Sequence, residues 1–459
     1  MNRTETLGRR DRSMIWHPFT QMADWEKEAP LIIESGDGNY LIDTEGRRYF
    51  DGVSSLWVNL FGHRRREIDD AIRSQLDRLA HSTFLGLSHV PAIELADKLL
   101  ALSPPGLSRV FYSDNGSTAM EIAIKMAFQY WQQREAGGRR KEFLTHTEAY
   151  HGDTLGAVSA GGIDLFHRIF RPLLFTTRRI PTPHCYRCPY SLARESCGLA
   201  CADRMEERVR SLRETLAAVI AEPLVQGAAG MLMMPAGYLA RLRAVTKECG
   251  VLLVCDEVAT GFGRTGTLFA CPQEGVAPDI MAVAKGLTGG YLPLAATLAT
   301  EEVYRAFLGR YEEFKTFFHG HSYTANPLAC AAAVATLSIF EREDVLGRVA
   351  GLSRKMAEEL SPLRVHRHIG EIRQKGLMVG IEIVADRGTK EPFALEKKIG
   401  QRVIRKVREK GVLLRPLGDV VVLLPPLSST EEEIQHLVRS TAWAIDAVLS
   451  EEREAYDGA

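Results

Sequence analysis

Three short segments carry side chains that could do chemistry, and each follows an apolar stretch. Lys285 follows the run IMAVA, Asp256 follows VLLVC, and the segment NGST at 115–118 follows VFYSD. Lysine and aspartate are rarely buried without a partner or a function. Burial lowers the pKa of a lysine and makes its amine nucleophilic, which is the usual setting for a Schiff base with a carbonyl compound.

Each of these features has an ordinary explanation when it stands alone. Lys285 could extend its charge to solvent, Asp256 could form a salt bridge or cap a helix, and NGST could be a simple helix start. Together they match the three groups by which pyridoxal phosphate is held. A helix N-terminus binds phosphate, a buried carboxylate pairs with a protonated pyridine nitrogen, and a lysine bonds to the aldehyde. The sequence therefore predicts a pyridoxal phosphate site.

The elements that must position these groups alternate between strands and helices. Apolar strands separated by helices indicate an α/β fold with a mainly parallel sheet, and such sheets bind ligands at the carboxyl ends of their strands. The predicted strands are Val110–Ser113, Glu142–Thr147, Ala218–Glu222, Val251–Asp256, Ile280–Ala284 and Ala295–Ala299, and the clearest helices are Ser117–Arg134 and Gly237–Glu248.

Both chain ends differ from this central pattern. Residues 30–60 resemble short strands joined by Gly-rich turns, and the chain beyond about 340 is typical of a small α+β unit. In that unit we predict strand Leu377–Val384, helix Lys397–Glu409 and strand Val420–Leu424. The expected division is a large domain at 64–335 and a small α+β domain built from 1–63 and 336–459.

Composition excludes several classes of protein. The 459 residues carry a net charge of −1, so no basic field favours nucleic acid, and no apolar run is long enough to span a bilayer. The charged N-terminal segment lacks the apolar core of a secretory signal. We expect a cytoplasmic protein that acts on small molecules.

Two further motifs imitate nucleotide-binding sites. GFGRTG at 261–266 fits the dinucleotide pattern GxGxxG, but it does not start at a strand end and no helix follows it. VLLVCDE resembles the magnesium-binding strand of NTPases, yet the chain has no phosphate loop of the GxxxxGK[ST] type. Neither motif indicates nucleotide binding at that position.

Four of the eight cysteines cluster in HCYRCPYSLARESCGLAC, as Cys185-x2-Cys188 and Cys197-x3-Cys201. This spacing resembles that of metal ligands, although the two pairs are closer together than in most zinc modules. We favour structural or incidental cysteines, with a structural metal as the alternative, and therefore predict no metal.

Longer segments show a resemblance to a known family. LLVCDEVATGFGRTG, PDIMAVAKGLTGGYLPLAA and HGHSYTANPLACAAA are similar to the cofactor-binding segments of the class-III aminotransferases, which are pyridoxal phosphate enzymes of fold type I. The resemblance covers about residues 15–448. It implies a homodimer with its active sites at the subunit interface.

The resemblance also implies a role for particular residues. Gly116 and Ser117 would hold the cofactor phosphate from one chain, and His321 and Ser322 would hold it from the other. Tyr150 would stack on the cofactor ring, Asp256 would pair with the ring nitrogen, and Lys285 would form the Schiff base. The substrate site would be lined by Trp57, Tyr150, Lys285, Gly320 and Arg415. A guanidinium such as that of Arg415 binds a carboxylate through two parallel hydrogen bonds.

Within the family, four further segments are most similar to the enzymes of one step of biotin synthesis: IWHPFTQM, DGVSSLWVNLFGH, AYHGDT and LLRPLGDVVVLLPPL. These enzymes convert 8-amino-7-oxononanoate to 7,8-diaminononanoate. The alternatives are an ω-amino acid:pyruvate aminotransferase and a non-catalytic binding protein with the same fold.

Two residues bear on the amino donor. At the positions of Leu56 and Phe19, the enzymes that use S-adenosylmethionine have an aromatic ring and a hydroxyl group. We therefore favour L-lysine over S-adenosylmethionine as the amino donor.

Overall fold

The strands and helices were assigned in a computed structural model, which describes residues 2–134 and 138–457. The strands are β1 (Ile33–Asp37), β2 (Tyr40–Asp43), β3 (Arg48–Asp51), β4 (Leu107–Ser113), β5 (Glu142–His146), β6 (Arg178–Ile180), β7 (Leu216–Ala221), β8 (Val225–Gln226), β9 (Leu232–Met233), β10 (Leu252–Asp256), β11 (Ile280–Val283), β12 (Ala295–Thr300), β13 (Ile369–Lys375), β14 (Met378–Ile383), β15 (Val412–Leu413), β16 (Arg415–Leu417) and β17 (Val420–Leu423).

The helices are α1 (Arg3–Met14), α2 (Met22–Trp25), α3 (Ser54–Trp57), α4 (Arg66–Leu76), α5 (Val90–Leu102), α6 (Gly116–Arg134), α7 (Leu155–Ala160), α8 (Asp164–His167), α9 (Ala200–Leu212), α10 (Tyr238–Glu248), α11 (Glu301–Arg305), α12 (Pro327–Arg342), α13 (Val345–Leu360), α14 (Ile399–Lys406) and α15 (Glu431–Asp457). Among the residues described, no helix has both the length and the apolar character needed to cross a bilayer.

A seven-stranded sheet with the order β4-β12-β11-β10-β7-β5-β6 forms the centre of the molecule. Every residue of β7, β10 and β11 is buried, as expected for apolar strands that are covered on both faces. All strands run parallel except β12, which is antiparallel to both of its neighbours. The α/β fold with a mainly parallel sheet is thus confirmed.

The reversal of β12 has a simple cause. Only the segment 284–294 connects β11 to β12, and it contains a short 3-10 turn instead of a long helix. A parallel crossover needs a dozen or more residues and usually a helix. The chain therefore returns antiparallel, which the sequence pattern did not indicate.

Two smaller sheets lie at the chain ends, with the orders β1-β2-β3-β15 and β13-β14-β17-β16. In the first, β3 pairs in parallel with β15, so Phe50 lies opposite Val412 and Asp51 opposite Leu413. This pairing joins the two chain ends, as a small domain built from both of them requires. The domain boundaries at 63 and 335 stay a prediction.

The GFGRTG segment forms turns, and its arginine has a structural role. Arg264 is 1% exposed. Its Nη1 donates to Oγ of Ser54 (3.1 Å) and to the carbonyl of Pro425 (2.8 Å), and its Nη2 donates to the carbonyl of Asn59 (2.8 Å). Burial lowers the pKa of Arg264 to about 9, although Asp51 opposes this shift, so the group is still charged at neutral pH.

Arg264 thereby supports a strained segment of backbone. Ser54, Ser55 and Trp57 all have positive φ, at 51°, 63° and 65°. Such conformations cost about 1–3 kcal/mol each in residues other than glycine and persist only where the surroundings enforce them. Here Asp51 accepts hydrogen bonds from the amide and hydroxyl of Ser55, at 2.7 and 2.8 Å, while Arg264 holds Ser54.

We expect Arg264→Met to lower the free energy of unfolding by about 2–4 kcal/mol, because it leaves two buried carbonyls without donors. Urea unfolding measures this difference. Arg168→Met, which changes an exposed arginine in the same way, is the control. A loss no larger than that of the control would contradict the structural role of Arg264.

Candidate functional site

A cavity of about 780 Å³ lies at the carboxyl ends of the parallel strands. Seven of the ten residues predicted from the sequence to form the site line this cavity: Trp57, Gly116, Ser117, Tyr150, Asp256, Lys285 and Arg415. They come from segments that are far apart in sequence. The sheet brings Gly116, Tyr150, Asp256 and Lys285 together because β4, β5, β10 and β11 end at the same edge. Trp57 in α3 and Arg415 in β16 come from outside this sheet.

The pairing of β10 with β11 sets the distance between the two central residues. Asp256 is in register with Ala282, three residues before Lys285. Lys285 itself has a φ of 49°, an uncommon conformation for a lysine, and its Nζ lies 4.9 Å from the ring centroid of Trp57. Burial lowers the pKa of Lys285, while the nearby Asp256 and Glu222 oppose this. A lowered pKa increases the fraction of nucleophilic amine.

Asp256 is 4% exposed and has a buried partner that the sequence did not indicate. Its Oδ2 lies 2.7 Å from Nδ1 of His151, and its Oδ1 accepts a hydrogen bond from the amide of Val258 at 3.0 Å. Burial disfavours a charged His151, but the hydrogen bond and charge of Asp256 outweigh it and raise the pKa of the imidazole. His151 therefore fixes the orientation of the carboxylate and balances its charge.

Glu222 is a second buried carboxyl group in the cavity. Its Oε1 accepts a hydrogen bond from the amide of Tyr150 at 3.1 Å, and its Oε2 accepts one from the amide of Gly227 at 3.0 Å. Burial raises the pKa of Glu222 to about 7; His151 counteracts the rise and Asp256 adds to it. The sequence placed Glu222 at a strand end without a role, and a polar residue after a fully apolar strand was the only signal.

The first turn of α6 forms one end of the cavity. A Cβ on Gly116 would lie 2.5 Å from Cγ1 of Val258, so the close approach of these segments requires glycine. Ser117 Oγ lies 2.9 Å from Oγ1 of Thr154 and accepts a hydrogen bond from the amide of Thr154 at 2.9 Å. The amides of a first helical turn have no acceptor within the helix, and they lie at its positive end. The amide of Thr118 donates to Oδ1 of Asn115 at 3.0 Å, and the two preceding residues, Gly116 and Ser117, line the cavity.

The side walls carry aromatic rings and one cation. The Tyr150 hydroxyl donates to Asp153 at 2.7 Å, and its pKa is raised by burial and by this hydrogen bond. Arg415 has its guanidinium carbon 5.6 Å from the centroid of Phe19. Burial lowers the pKa of Arg415, and Tyr150 opposes the shift. In the part of the chain that the structure describes, no carboxylate pairs with Arg415, so it can bind an acidic ligand.

Three predicted residues do not line the cavity of their own chain: Gly320, His321 and Ser322. Nδ1 of His321 lies 3.0 Å from Oδ2 of Asp114, and the carbonyl of Ser322 lies 2.9 Å from Nε2 of His81. Asp114 does line the cavity, so this segment lies beside it. The expectation that these residues serve the site of a partner subunit stays a prediction.

Outside this cavity, the described residues contain one group of three possible metal ligands: His184, Glu371 and Glu382. Arg373 contacts both carboxylates, so a guanidinium already supplies the positive charge there. The four clustered cysteines are free thiols and do not belong to this group. The expectation that they bind no metal stays a prediction.

The cavity's donor set fits pyridoxal phosphate. One end offers the amides and hydroxyl of the first turn of α6 to a phosphate. Asp256, buried and oriented by His151, can hold a proton on a pyridine nitrogen. Lys285, with its lowered pKa, can bond to an aldehyde.

The raised pKa of Glu222 predicts that the free energy of unfolding changes with pH. Its pKa rises from 4.5 in the unfolded chain to about 7 in the folded state, so between these values the folded state keeps a proton that the unfolded state releases. Stability contributed by this group is present below pH 4.5 and falls by about 3 kcal/mol as the pH rises to about 7.

We therefore expect Glu222→Gln to flatten the profile of unfolding free energy of the cofactor-free protein over this range. Urea unfolding at a series of pH values measures it. Glu207→Gln, at an exposed site, should keep the wild-type slope. If Glu222→Gln keeps that slope as well, the raised pKa is wrong.

Comparisons with known proteins agree with this site. The family described as aminotransferase class-III matches residues 21–445. An adenosylmethionine-8-amino-7-oxononanoate aminotransferase of Nitratidesulfovibrio vulgaris is 56% identical over 97% of this chain and 83% of its own. The crystal structure of the enzyme of that name from Methanocaldococcus jannaschii has a TM-score of 0.92 at 46% identity, covering 96% of this chain and 99% of the other.

More distant structures are transaminases too. An (S)-enantioselective omega-transaminase of Thermomicrobium roseum has a TM-score of 0.92 at 36% identity, covering 98% of this chain and 99% of its own. An amine transaminase from an uncultivated Pseudomonas species, solved in its PLP-bound form, has a TM-score of 0.89 at 38% identity, covering 95% and 99%. Because the match extends over nearly the whole chain and the cavity has the donor set that pyridoxal phosphate needs, this protein belongs to the class-III aminotransferases, a pyridoxal phosphate-dependent family.

Proposed function

We propose that this aminotransferase converts 8-amino-7-oxononanoate to 7,8-diaminononanoate in biotin synthesis. The observation that carries the proposal is Arg415, an unpaired guanidinium in the same cavity as Lys285 and Asp256. The keto substrate has a carboxylate at one end and its reacting ketone near the other, so it needs a distant cation and a nearby amine. The names of relatives that are 44–56% identical support the same reaction.

Each residue has a stated task in this proposal. Gly116 and Ser117 bind the cofactor phosphate, Tyr150 lies against the ring, and Asp256 holds a proton on the ring nitrogen. When bound, pyridoxal phosphate supplies the aldehyde that takes up the amino group and the ring that accepts the electron pair released at the donor carbon.

Lys285 is the acid–base group of the reaction. With the cofactor bound, its amine would take the proton from the donor carbon that carries the amino group and would return a proton in the same cavity, and the reverse order would serve the keto substrate. Trp57 packs beside this amine and keeps it away from bulk water. Arg415 binds the substrate carboxylate by parallel hydrogen bonds and thereby orients the ketone.

We also propose a homodimer in which the partner subunit supplies Gly320, His321 and Ser322. Large apolar side chains around this segment are exposed in the single chain: Tyr311 at 91%, Phe318 at 72% and Tyr323 at 63%. Exposed apolar surface of this kind is typical of a subunit interface. A cytoplasmic location, as expected for this pathway, is part of the same proposal.

Two other functions are less well supported. The M. jannaschii enzyme is 46% identical and the T. roseum omega-transaminase 36%, which favours the biotin reaction over that of an ω-amino acid aminotransferase. A non-catalytic binding protein would not need a strained, half-buried Lys285 beside a buried Asp256, since both groups cost stability.

For the amino donor we propose L-lysine. Leu56 and Phe19 both line the cavity, so the aromatic ring and the hydroxyl missing from the sequence are missing from its wall. A sulfonium over an aromatic ring gains about 0.5–2 kcal/mol, which Leu56 cannot provide. The relatives are named for adenosylmethionine, which makes that compound the alternative to be tested.

Growth of a biotin auxotroph blocked at this amination step tests the reaction. We expect the wild-type chain to restore growth without biotin and Lys285→Ala to fail, because no other described group in the cavity is a primary amine. The control variant Lys247→Ala, at an exposed site, should rescue like the wild type. Failure of the wild type despite soluble, yellow protein would overturn the proposed reaction, and rescue by Lys285→Ala would overturn the role of Lys285.

Single-turnover spectra with each donor test the choice of donor. We expect millimolar L-lysine to convert the cofactor absorption band of the loaded enzyme and S-adenosylmethionine to leave it unchanged. Leu56→Trp, which restores a ring at the cavity wall, should increase the response to S-adenosylmethionine. Conversion by S-adenosylmethionine alone would show that lysine is wrong as the donor.

A further inference from the structure

A second cleft, which we call the basic cleft, shares no lining residue with the cavity that holds Lys285 and Asp256. Its volume is about 500 Å³, within the range of about 300–1,000 Å³ that is typical of small-molecule sites. Five cations line it: Arg373, which pairs with Glu371, and four others, Arg194, Arg354, Arg364 and Lys375. They come from four separate segments of the chain.

The four cations other than Arg373 are not balanced by acidic side chains. Glu371 is the one carboxylate in the lining, and it contacts Arg373 at 2.8 Å. Within residues 2–134 and 138–457, no salt bridge reaches any of the four cations, and Arg364 makes one hydrogen bond, from Nη1 to the carbonyl of Ile372 at 3.2 Å. The chain as a whole has a net charge of −1, so the local excess of positive charge is not a consequence of composition.

The concave shape of the basic cleft strengthens the effect of its excess positive charge on an anion. Like charges that converge around a cleft repel one another, and the field that they produce is concentrated by the low-dielectric walls. A multivalent anion reduces this repulsion and gains from each charge that it contacts. Arginine is also the side chain whose planar fork binds phosphate oxygens in pairs.

The floor of the basic cleft is apolar. We call the apolar lining residues Met233, Met234, Pro235 and Ile372 the floor. Methionine side chains adapt to flat and irregular ligands because they are flexible and polarizable. The cleft thus combines a phosphate-binding rim with a surface for a ring.

We propose that the basic cleft binds a nucleoside di- or triphosphate, with its phosphates on the four cations and its base on the methionine floor. Inorganic pyrophosphate would use the rim alone, and a nucleoside without phosphate would use the floor alone. The site is independent of the proposed reaction, because none of its residues takes part in that reaction.

Titration calorimetry of the cofactor-loaded, full-length protein tests this site with ADP, pyrophosphate and adenosine as probes. We expect ADP to bind at least fivefold more tightly than pyrophosphate, and adenosine to bind most weakly. The affinity for ADP should fall at least tenfold between low and moderate salt, because the contacts are ionic.

Matched double variants assign the binding to the cleft. The double variant Arg354→Gln/Arg364→Gln should lower the affinity for ADP at least tenfold. The control Arg367→Gln/Arg387→Gln neutralises two exposed arginines outside the cleft and should change this affinity less than twofold. If loss of the Arg364 hydrogen bond impairs folding, Arg354→Gln/Lys375→Gln serves instead. No binding of ADP at millimolar concentration, or equal affinities of the two double variants, would overturn the proposal. Aminotransferase activity is not the readout, so failure here leaves the proposed reaction unaffected.

Discussion

The parallel register of β10 and β11 is the constraint on which the catalytic cavity depends. It sets Asp256 opposite Ala282, and the chain then needs three more residues to reach Lys285. A slip of one residue would turn Asp256 to the other face of the sheet. Buried, apolar strands with a dense backbone hydrogen-bond ladder prevent such a slip. The packing of the sheet therefore fixes the chemistry at its edge.

The charges gathered at this edge stabilise one another. Asp256 would be costly to bury alone, but His151 at 2.7 Å supplies a donor and a compensating charge. Glu222 avoids part of its own cost by keeping a proton up to about pH 7. Within the described residues neither Lys285 nor Arg415 forms a salt bridge, and they are the two groups that meet the substrate in the proposed reaction.

Strain is stored next to the same cavity. Four residues have positive φ, a backbone conformation that residues other than glycine rarely adopt: Ser54, Ser55, Trp57 and Lys285. Arg264 and Asp51 offset this cost by charge-assisted hydrogen bonds to Ser54 and Ser55, respectively. The basic cleft shows the opposite arrangement. Arg194, Arg354 and Arg364 are exposed, much of its wall is regular strand and helix, and within the described residues these three arginines and Lys375 form no salt bridge.

The sequence by itself determined the α/β fold, the strand that ends at Asp256, the strand that ends shortly before Lys285, and the helix α6 that begins within the NGST segment. Apolar periodicity and the polar residues that interrupt it are local, so they can be seen without a structure. Tertiary structure decided the reversal of β12 and the partnership of His151 with Asp256. It also decided the role of Arg264, which the sequence showed only as part of a glycine-rich motif. These features depend on which distant segments meet, and no local pattern encodes a contact between residues 210 positions apart, as between Ser54 and Arg264.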